Sequence, residues 1–285
     1  MIHLYKKEEY ALKSGFCCPV CGSALERGEK TLTCENGHSF DIAKKGYVNL
    51  LLSQKSKDKR HGDDTAMITA RRDFLDLGYY LPLCEATTDA VLVCAKDGDT
   101  LLDLGCGECY YTAAVMHEAE KRGIFLHALG IDISRDALIY GAKRCRRIEL
   151  AAASIFSLPV ADDSVDIIMN MFAPCAANEF ARVLKKGGRM IHVYPREKHL
   201  FELKKAIYDT PYENDVETAD LGGFRLISEK RLTYTFTLKN QNEIHELFMM
   251  TPYYYKTSKE GQARAAALTA LSATADFAVA VYEKL

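Results

Sequence analysis

Residues 101–111 read LLDLGCGECYY, three leucines around one aspartate running straight into a glycine turn and two tyrosines. Leu101, Leu102 and Leu104 suit a strand covered on both faces, as in a doubly wound parallel sheet, and Asp103 then stands at its carboxyl end. Gly105 and Gly107 let the backbone approach a bound molecule where a side chain would block it. Open α/β sheets bind ligands beyond the carboxyl ends of their strands, so this stretch predicts a binding site together with the fold.

A dinucleotide-binding fold also places glycines in this turn, but the details here differ. The turn Gly105-Cys106-Gly107-Glu108-Cys109-Tyr110 has tyrosine where the last glycine of GxGxxG belongs. A pyrophosphate seeks helix N-terminal N–H groups, whereas Asp103 and Glu108 suit a cation. S-adenosylmethionine, with its sulfonium and ammonium groups, meets that demand. Downstream, ALGIDIS at 128–134 reads as a strand ending in Asp132, placed as ribose-binding carboxylates are. Residues 151–172 read as a loop, an acidic turn and a strand, and RVLKKGGRMIHVY at 182–194 follows. In this order the segments resemble the successive motifs of a class I methyltransferase dependent on S-adenosylmethionine.

At 285 residues the chain has room for two domains, and its 48% hydrophobic content supplies a sizeable core. A net charge of -2 and a pI near 6.5 exclude a wholesale basic nucleic-acid binder and leave local patches open. The first residues, MIHLYKKEEY, lack the apolar core of a signal peptide. No uninterrupted apolar run approaches the roughly 18 residues that span a bilayer. A cytoplasmic protein without membrane contact is expected, and its ten cysteines are then free thiols or metal ligands rather than a disulfide framework. Cys84, Cys94 and Cys145 read as small core or boundary residues.

Cys18-Pro-Val-Cys21, twelve further residues, and Cys34-Glu-Asn-Gly-His38 have the spacing of a metal site. Two such knuckles presented by a hairpin complete a tetrahedral Cys3His zinc site, with Gly22 and Gly37 supporting the turns. Cys17 is a neighbouring alternative, although only Cys18 has the two-residue spacing to Cys21. Between the knuckles, SALERGEKTLT reads as strand, turn at Arg27-Gly28, and strand, which resembles a zinc ribbon. Four protein ligands leave no position for water, so the zinc is structural. Lys44, Lys45, Lys55, Lys57, Lys59 and Arg60 follow, opposed only by Asp58, with Arg71 and Arg72 further on. This basic stretch suits either a phosphate backbone or a solvated linker.

The ribbon, FDIAKKGYVNLLL, ARRDFLDLGYYLPL at 70–83, LDLGCGECYYT, MFAPC, KHLFELK and MMTPY at 249–253 together resemble one family, the RlmA-type guanine-N1 methyltransferases of large-subunit ribosomal RNA. The resemblance implies a homodimeric enzyme that methylates N1 of a guanine in a 23S rRNA hairpin loop, its zinc domain helping to grip RNA. Cys18, Cys21, Cys34 and His38 match the family's zinc ligands, and Tyr80, Gly107, Glu108 and His199 match positions that contact S-adenosylmethionine. Asp103, Gly105 and Asp132 follow from the general methyltransferase pattern. One departure stands out: the family's turn usually reads GCGEGYY, and Cys109 replaces its third glycine. Glycine there permits close packing of helix on strand, so a small cysteine calls for a slight shift and leaves cofactor binding intact.

The expected architecture is a zinc ribbon over 1–45, a basic linker and helices over 46–95, and a class I, Rossmann-like doubly wound sheet with an antiparallel edge over 96–285. FRLISEKRLTYTFTL at 224–238 reads as two strands joined by a short turn, a helix spans 197–208, and an alanine-rich helix runs from about 259 to 274. Asn170-Met171-Phe172-Ala173-Pro174-Cys175 borders the methyl group, with Phe172 placed to stack on the guanine. Asp162, Asp163 and Asp166 read as turn formers and His192 as a strand residue, so no catalytic base is named. A cytosine-C5 methyltransferase would use Pro174-Cys175 as its nucleophile motif, but a second catalytic cysteine loop is missing. A small-molecule methyltransferase would leave the ribbon without a purpose, and a non-catalytic RNA-binding module would leave Asp103, Gly105, Gly107 and Asp132 without one.

Overall fold

The computed structural model describes residues 13–52, 64–216 and 221–285. Lys55, Lys57, Asp58, Lys59 and Arg60 of the basic stretch lie outside the described residues. Two sheets organise the rest. The first is an antiparallel four-stranded sheet in the order β1(Lys13–Cys17)-β2(Ala24–Arg27)-β3(Thr31–Thr33)-β4(Ser39–Asp41), the hairpin expected between the knuckles plus one strand on either side. The Arg27-Gly28 turn closes by Gly28 N–H donating to Thr31 O at 2.8 Å.

The second sheet has eight strands. β5(Tyr47–Asn49), β6(Thr100–Leu104), β7(His127–Asp132), β8(Ile148–Ala152), β9(Val165–Met171), β10(Leu184–Pro195), β11(Phe224–Leu238) and β12(Leu271–Lys284) lie in the order β11-β12-β10-β9-β6-β7-β8-β5. All pairs from β10 to β5 are parallel, and β12 runs antiparallel between β10 and β11. From β6 the chain steps outward to β7 and β8, then returns to build β9 and β10 on the other side. The switch point therefore falls between β6 and β9, whose carboxyl ends carry the glycine turn and the NMFAPC segment.

Helices α1(Thr65–Asp76), α2(Leu81–Cys94), α3(Tyr110–Lys121) and α4(Arg135–Arg144) bury Phe74, Leu83, Val115 and Leu138 in one core with Leu101, Ile167 and Ile191 of the sheet. The second core is different in kind. Ribbon residues Phe16, Leu25 and Leu32 join Leu102, Leu129 and Ile131 of the sheet and Phe180 and Val183 of α5(Ala177–Val183). The ribbon thus occupies ground that helices cover on the opposite face. Its seat is close: a Cβ on Gly15 would lie 2.5 Å from a Leu129 methyl, and Cys17 N–H donates to Pro159 O at 2.8 Å. Glu149 accepts from Ser14 Oγ at 2.9 Å and from Gly15 N–H at 3.1 Å.

Several local expectations are corrected. The 46–95 segment supplies a strand, β5, to the large sheet as well as two helices. Residues 224–238 form one strand with an irregularity between Leu226 and Ser228; the polar SEK run that suggests a turn is tolerated because β11 is an exposed edge. The alanine-rich helix stops early: α8(Lys259–Ala267) gives way to β12, which spans most of the chain's last residues. Alanine's helix preference loses to burial of Ala273 and Ala275 beside β11 and of Ala278 between β11 and β10. The helix expected over 197–208 is confined to α6(Phe201–Ile207), after Leu200 adopts a left-handed conformation. α7(Gln241–Met249) completes the α-helices among the described residues, and a 3-10 turn at Tyr254–Lys256 follows it.

Candidate functional site

The Cys3His cluster is assembled by two matching turns. Gly22 N–H donates to Cys18 O at 2.8 Å and Gly37 N–H to Cys34 O at 2.9 Å, and both glycines have left-handed φ (77° and 80°). Cys34 Sγ and Cys18 Sγ lie 3.4 and 3.6 Å from His38 Nδ1, Cys21 Sγ lies 3.7 Å from Cys34 Sγ, and all four ligand atoms fall within 4.8 Å of one another. Tetrahedral zinc with Zn–S of about 2.3 Å spaces its sulfurs by about 3.8 Å, so the residues fit the ion. The Asn36 amide and Ser23 hold the exposed Cys21 thiol down to about 5, favouring the thiolate that binds metal. Cys17, outside the cluster, has its thiol raised by burial.

At the end of β6 the glycine turn is fixed from two sides. Gly105 and Cys106 N–H both donate to Ile131 O of β7, at 2.8 and 3.0 Å. Gly107 N–H donates to Asp132 Oδ2 at 2.9 Å, and Ser134 N–H to Asp132 Oδ1 at 2.7 Å, so one carboxylate joins the glycine turn to the start of α4. Gly105 (φ 73°) has a second reason to lack a side chain: its Cβ would lie 2.8 Å from Ala173 Cβ, because the NMFAPC segment folds over it. A Cβ on Gly107 (φ 53°) would meet nothing within 4 Å, leaving space beside it.

Carboxylates are concentrated here, and burial outweighs the groups that oppose it. Asp103 is fully buried, and burial pushes its carboxyl up to about 7 although the Thr112 hydroxyl donates to it. The charges of Asp132 and Glu108 add to the rise. Burial also raises Glu108, against the opposing effects of its own backbone N–H, Arg71 and Arg144. Glu108 Oε1 is buried with no hydrogen-bond partner among the described residues. Arg71 therefore acts on the site, while Arg72 donates to Asp73 at 2.7 Å and lies over the Tyr140 ring. Neither extends the basic stretch.

Tyr80 and His199, 119 positions apart, meet with Tyr80 Oη 3.4 Å from His199 Nε2, both buried. Asp276 N–H donates to His199 Nδ1 at 3.4 Å, which leaves the ring proton on Nε2 facing the phenol. Burial holds the imidazole neutral, its pKa lowered to about 3. Phe277 links this pair to the neighbouring segment: its ring centroid is 4.4 Å from His199, 5.2 Å from Tyr80 and 5.6 Å from Phe172. Phe172 itself is half exposed and has left-handed φ of 58°, a strained conformation of the kind found at binding sites. Asn170 is buried; its amide N–H donates to Pro174 O at 3.1 Å and its Oδ1 finds no partner among the described residues. Burial raises the Cys175 thiol.

Thr112 and Phe277 are parts of this arrangement that the sequence reading missed. Thr112 carries a signal, nine positions after Asp103 and in the first turn of the following helix; Phe277 carries none, because it lies just past the expected helix of 259–274, in a stretch not recognised as a strand. Asp103, Gly105, Gly107, Glu108 and Asp132 are brought together around one turn, and Tyr80 and His199 form a second group joined to Phe172.

Residues 16–59 match the zinc-ribbon family described as RlmA, N-terminal, and residues 95–249 match a methyltransferase domain family. A Bacillus subtilis protein named as a 23S rRNA (guanine-N1)-methyltransferase is 32% identical over 259 residues, 87% of this chain and 89% of that one. The 23S rRNA (guanine(748)-N(1))-methyltransferase of Streptomyces fradiae is 36% identical over 193 residues, and the matched part spans 67% of this chain and 66% of that protein's length. A solved structure of a Haloferax volcanii methyltransferase with its Trm112 activator has a TM-score of 0.49 at 16% identity, over 78% of this chain and 99% of that one.

Proposed function

The chain belongs to the RlmA-type, zinc-ribbon-bearing 23S rRNA (guanine-N1)-methyltransferases, and on that premise we propose how its residues deliver a methyl group to N1 of a guanine in a 23S rRNA hairpin loop. When bound, S-adenosylmethionine supplies an electrophilic methyl on a sulfonium centre. The residues fit that cationic molecule. Asp103 and the Glu108 oxygen that has no partner among the described residues offer negative charge, and the space beside Gly107 admits a ligand against the backbone. Asp132, already holding two backbone N–H groups, keeps lone pairs for ribose hydroxyls. Tyr80 and His199 form the neighbouring wall, and because the imidazole stays neutral it adds no positive charge beside the sulfonium. The Cys3His ribbon holds a structural zinc through Cys18, Cys21, Cys34 and His38.

The acceptor makes two demands. Guanine N1 is part of the Watson–Crick edge, so the base must be unpaired or turned out. Phe172, exposed and held by Phe277, offers a face on which it stacks. N1 also carries a proton near neutrality, and Asn170 Oδ1, without a partner among the described residues at the carboxyl end of β9, accepts an N–H from the guanine edge and fixes its orientation. The displaced proton leaves to solvent, and no side chain is assigned as base. The raised Cys175 thiol is the reverse of an activated nucleophile, which counts against cytosine-C5 chemistry.

The observation that carries this reading is one packed unit uniting an acidic glycine turn with a Cys3His ribbon. On the same resemblance the enzyme acts in the cytoplasm as a homodimer. No helix among the described residues is long and apolar enough to cross a membrane. N1-methylguanine blocks base pairing, so primer extension on 23S rRNA is expected to stop at a loop guanine in cells carrying the gene and to read through in cells lacking it. The position of the guanine named for the Streptomyces relative is the first to inspect. Identical stops in both strains overturn the proposal.

A further inference from the structure

A cleft of about 790 Å³ opens between the ribbon and the methyltransferase sheet at the amino ends of β7 and β8. Three separate segments line it with cations: Arg27 from the ribbon hairpin, Lys44 and Lys45 from the turn before β5, and Lys143, Arg146 and Arg147 from the end of α4 and the residues after it. Arg27 pairs with Glu149 at 3.7 Å and Arg147 with Glu120 at 2.9 Å. Lys44, Lys45, Lys143 and Arg146 are exposed, and none has an ion pair among the described residues. Lys143 alone has a further partner in the Tyr140 ring, 5.5 Å from its ammonium.

The helix dipole accounts for only part of this cation cluster. Cations in the last turn of α4 suit the helix dipole, which explains Lys143. It does not explain why a second basic segment is held against them. The Lys44-Lys45 turn is built rather than loose: Ala43 N–H donates to Tyr47 O and Gly46 N–H to Ala43 O, both at 2.8 Å. Gly46 has φ of 94°, and its Cβ would lie 3.2 Å from Ala142 Cβ on α4. A left-handed glycine thus holds the Lys44-Lys45 turn against α4, so that Lys44, Lys45, Lys143 and Arg146 line one cleft, where like charges repel unless an anion lies between them.

We propose that this cleft holds the phosphate backbone of the RNA substrate outside the methylated loop, with Lys44, Lys45, Lys143 and Arg146 as its phosphate contacts. The assignment rests on the rRNA-methyltransferase reading above and adds a second contact site to it. The glycine turn and the cleft lie at opposite ends of β7, about 17 Å apart by strand rise. One loop nucleotide cannot reach both, so the cleft takes backbone flanking the loop. RNA is favoured over an acidic protein because the charges are spread over three segments and interleaved with the aromatic residues Tyr47 and Phe125, a surface suited to an extended polyanion.

The test compares the full-length protein with a Lys44→Ala/Lys45→Ala/Lys143→Ala/Arg146→Ala variant, using a 23S rRNA hairpin fragment across a salt series. Four lost phosphate contacts are expected to reduce the slope of log affinity against log salt by about 3. Affinity at low salt should fall at least tenfold, KM for RNA should rise, and kcat should be retained. Zinc content and S-adenosylmethionine affinity, which report the fold, should be unchanged. A Lys44→Glu single variant with an intermediate effect supports the same conclusion if the quadruple variant misfolds. An unchanged salt slope and KM in a wild-type protein that methylates the fragment overturns the cleft assignment alone. Failure of the wild type to bind or methylate any 23S fragment overturns the function on which it rests. Binding of polyglutamate that is lost in the variant while RNA binding is retained overturns the RNA assignment in favour of an acidic protein partner.

Discussion

The zinc cluster and the glycine-turn site lie in one molecule and are built on opposite principles. The cluster draws its four ligands from 21 consecutive positions, Cys18 to His38, each set by a turn of a few residues. The other site gathers Tyr80, Asp103, Asp132 and His199 from positions 119 apart at the extremes, placed by strands β6 and β7 and by the entries to helices α2 and α6. A local site depends on its ion for order, whereas a distributed site inherits order from the core beneath it. The two should therefore fail differently.

The largest effect separates them directly. Cys34→Ser removes a ligand from a ribbon whose own core is too small to fold alone, and zinc coordination contributes on the order of 10 kcal/mol to such modules. Metal analysis is expected to show loss of stoichiometric zinc, and rRNA methylation to fall by at least about 100-fold, while calorimetry finds S-adenosylmethionine affinity little changed. Parallel loss of cofactor affinity would mean that the shared Phe16–Leu129 core makes the two sites one cooperative unit.

This contrast also explains what was legible in the sequence. Cysteine spacing reports a local site directly, and the run from Leu101 to Tyr110 reports a strand and turn, because in both cases neighbouring residues do the work. Tyr80 and His199 became visible only through the family resemblance: each alone reads as a packing aromatic or a surface histidine, and their meeting depends on how α2 and α6 dock. β12 was hidden for the same reason. Its alanines prefer helix locally, and only the two flanking strands make it a strand. Lys44 reads as part of a linker until Gly46 is seen against Ala142.

A second prediction probes the distributed site at its acceptor end. Stacking of a base on an aromatic ring is worth about 1–3 kcal/mol, so Phe172→Ala should lower kcat/KM for RNA by about 10–100-fold. Cofactor affinity should stay level, since Phe172 is joined to His199 and Tyr80 through the Phe277 ring. Unaltered RNA kinetics would remove Phe172 from the base pocket.

Third, the buried charge makes the distributed site pH-sensitive. Asp103 is raised in the folded state from 3.8 to about 7, so the native protein binds the extra proton between those values. Stability of the cofactor-free protein should therefore fall as pH rises from about 4 to about 7 and level off above. Affinity for the cationic cofactor should rise over the same interval as the carboxylate ionises. Asp103→Asn should flatten both profiles in thermal melts and titrations; profiles that keep their slope would assign the charge sensitivity to another group.

The smallest effect concerns Cys109, where the family's glycine is replaced. The structure supplies a reason for glycine beyond helix packing: Cys109 caps α3 with φ of 60°, a left-handed conformation that costs a non-glycine residue about 1 kcal/mol or more. The cost is offset by burial of its thiol in space above Gly141, where a Cβ would lie 2.7 Å from Cys109 Sγ. Relief of strain and loss of packing oppose each other in Cys109→Gly, so its net change in stability should stay within about 1 kcal/mol, with cofactor affinity maintained. The compensation is exposed by a cycle. Gly141→Ala alone drives a methyl into the thiol and should destabilise by about 1–3 kcal/mol. In the Cys109→Gly background the same alanine meets only ordinary contacts and gains the helix preference that glycine lacks on α4, worth about 0.5–1 kcal/mol. The two substitutions should therefore be strongly non-additive in denaturant melts, and additive costs would show that Cys109 and Gly141 did not adapt to each other.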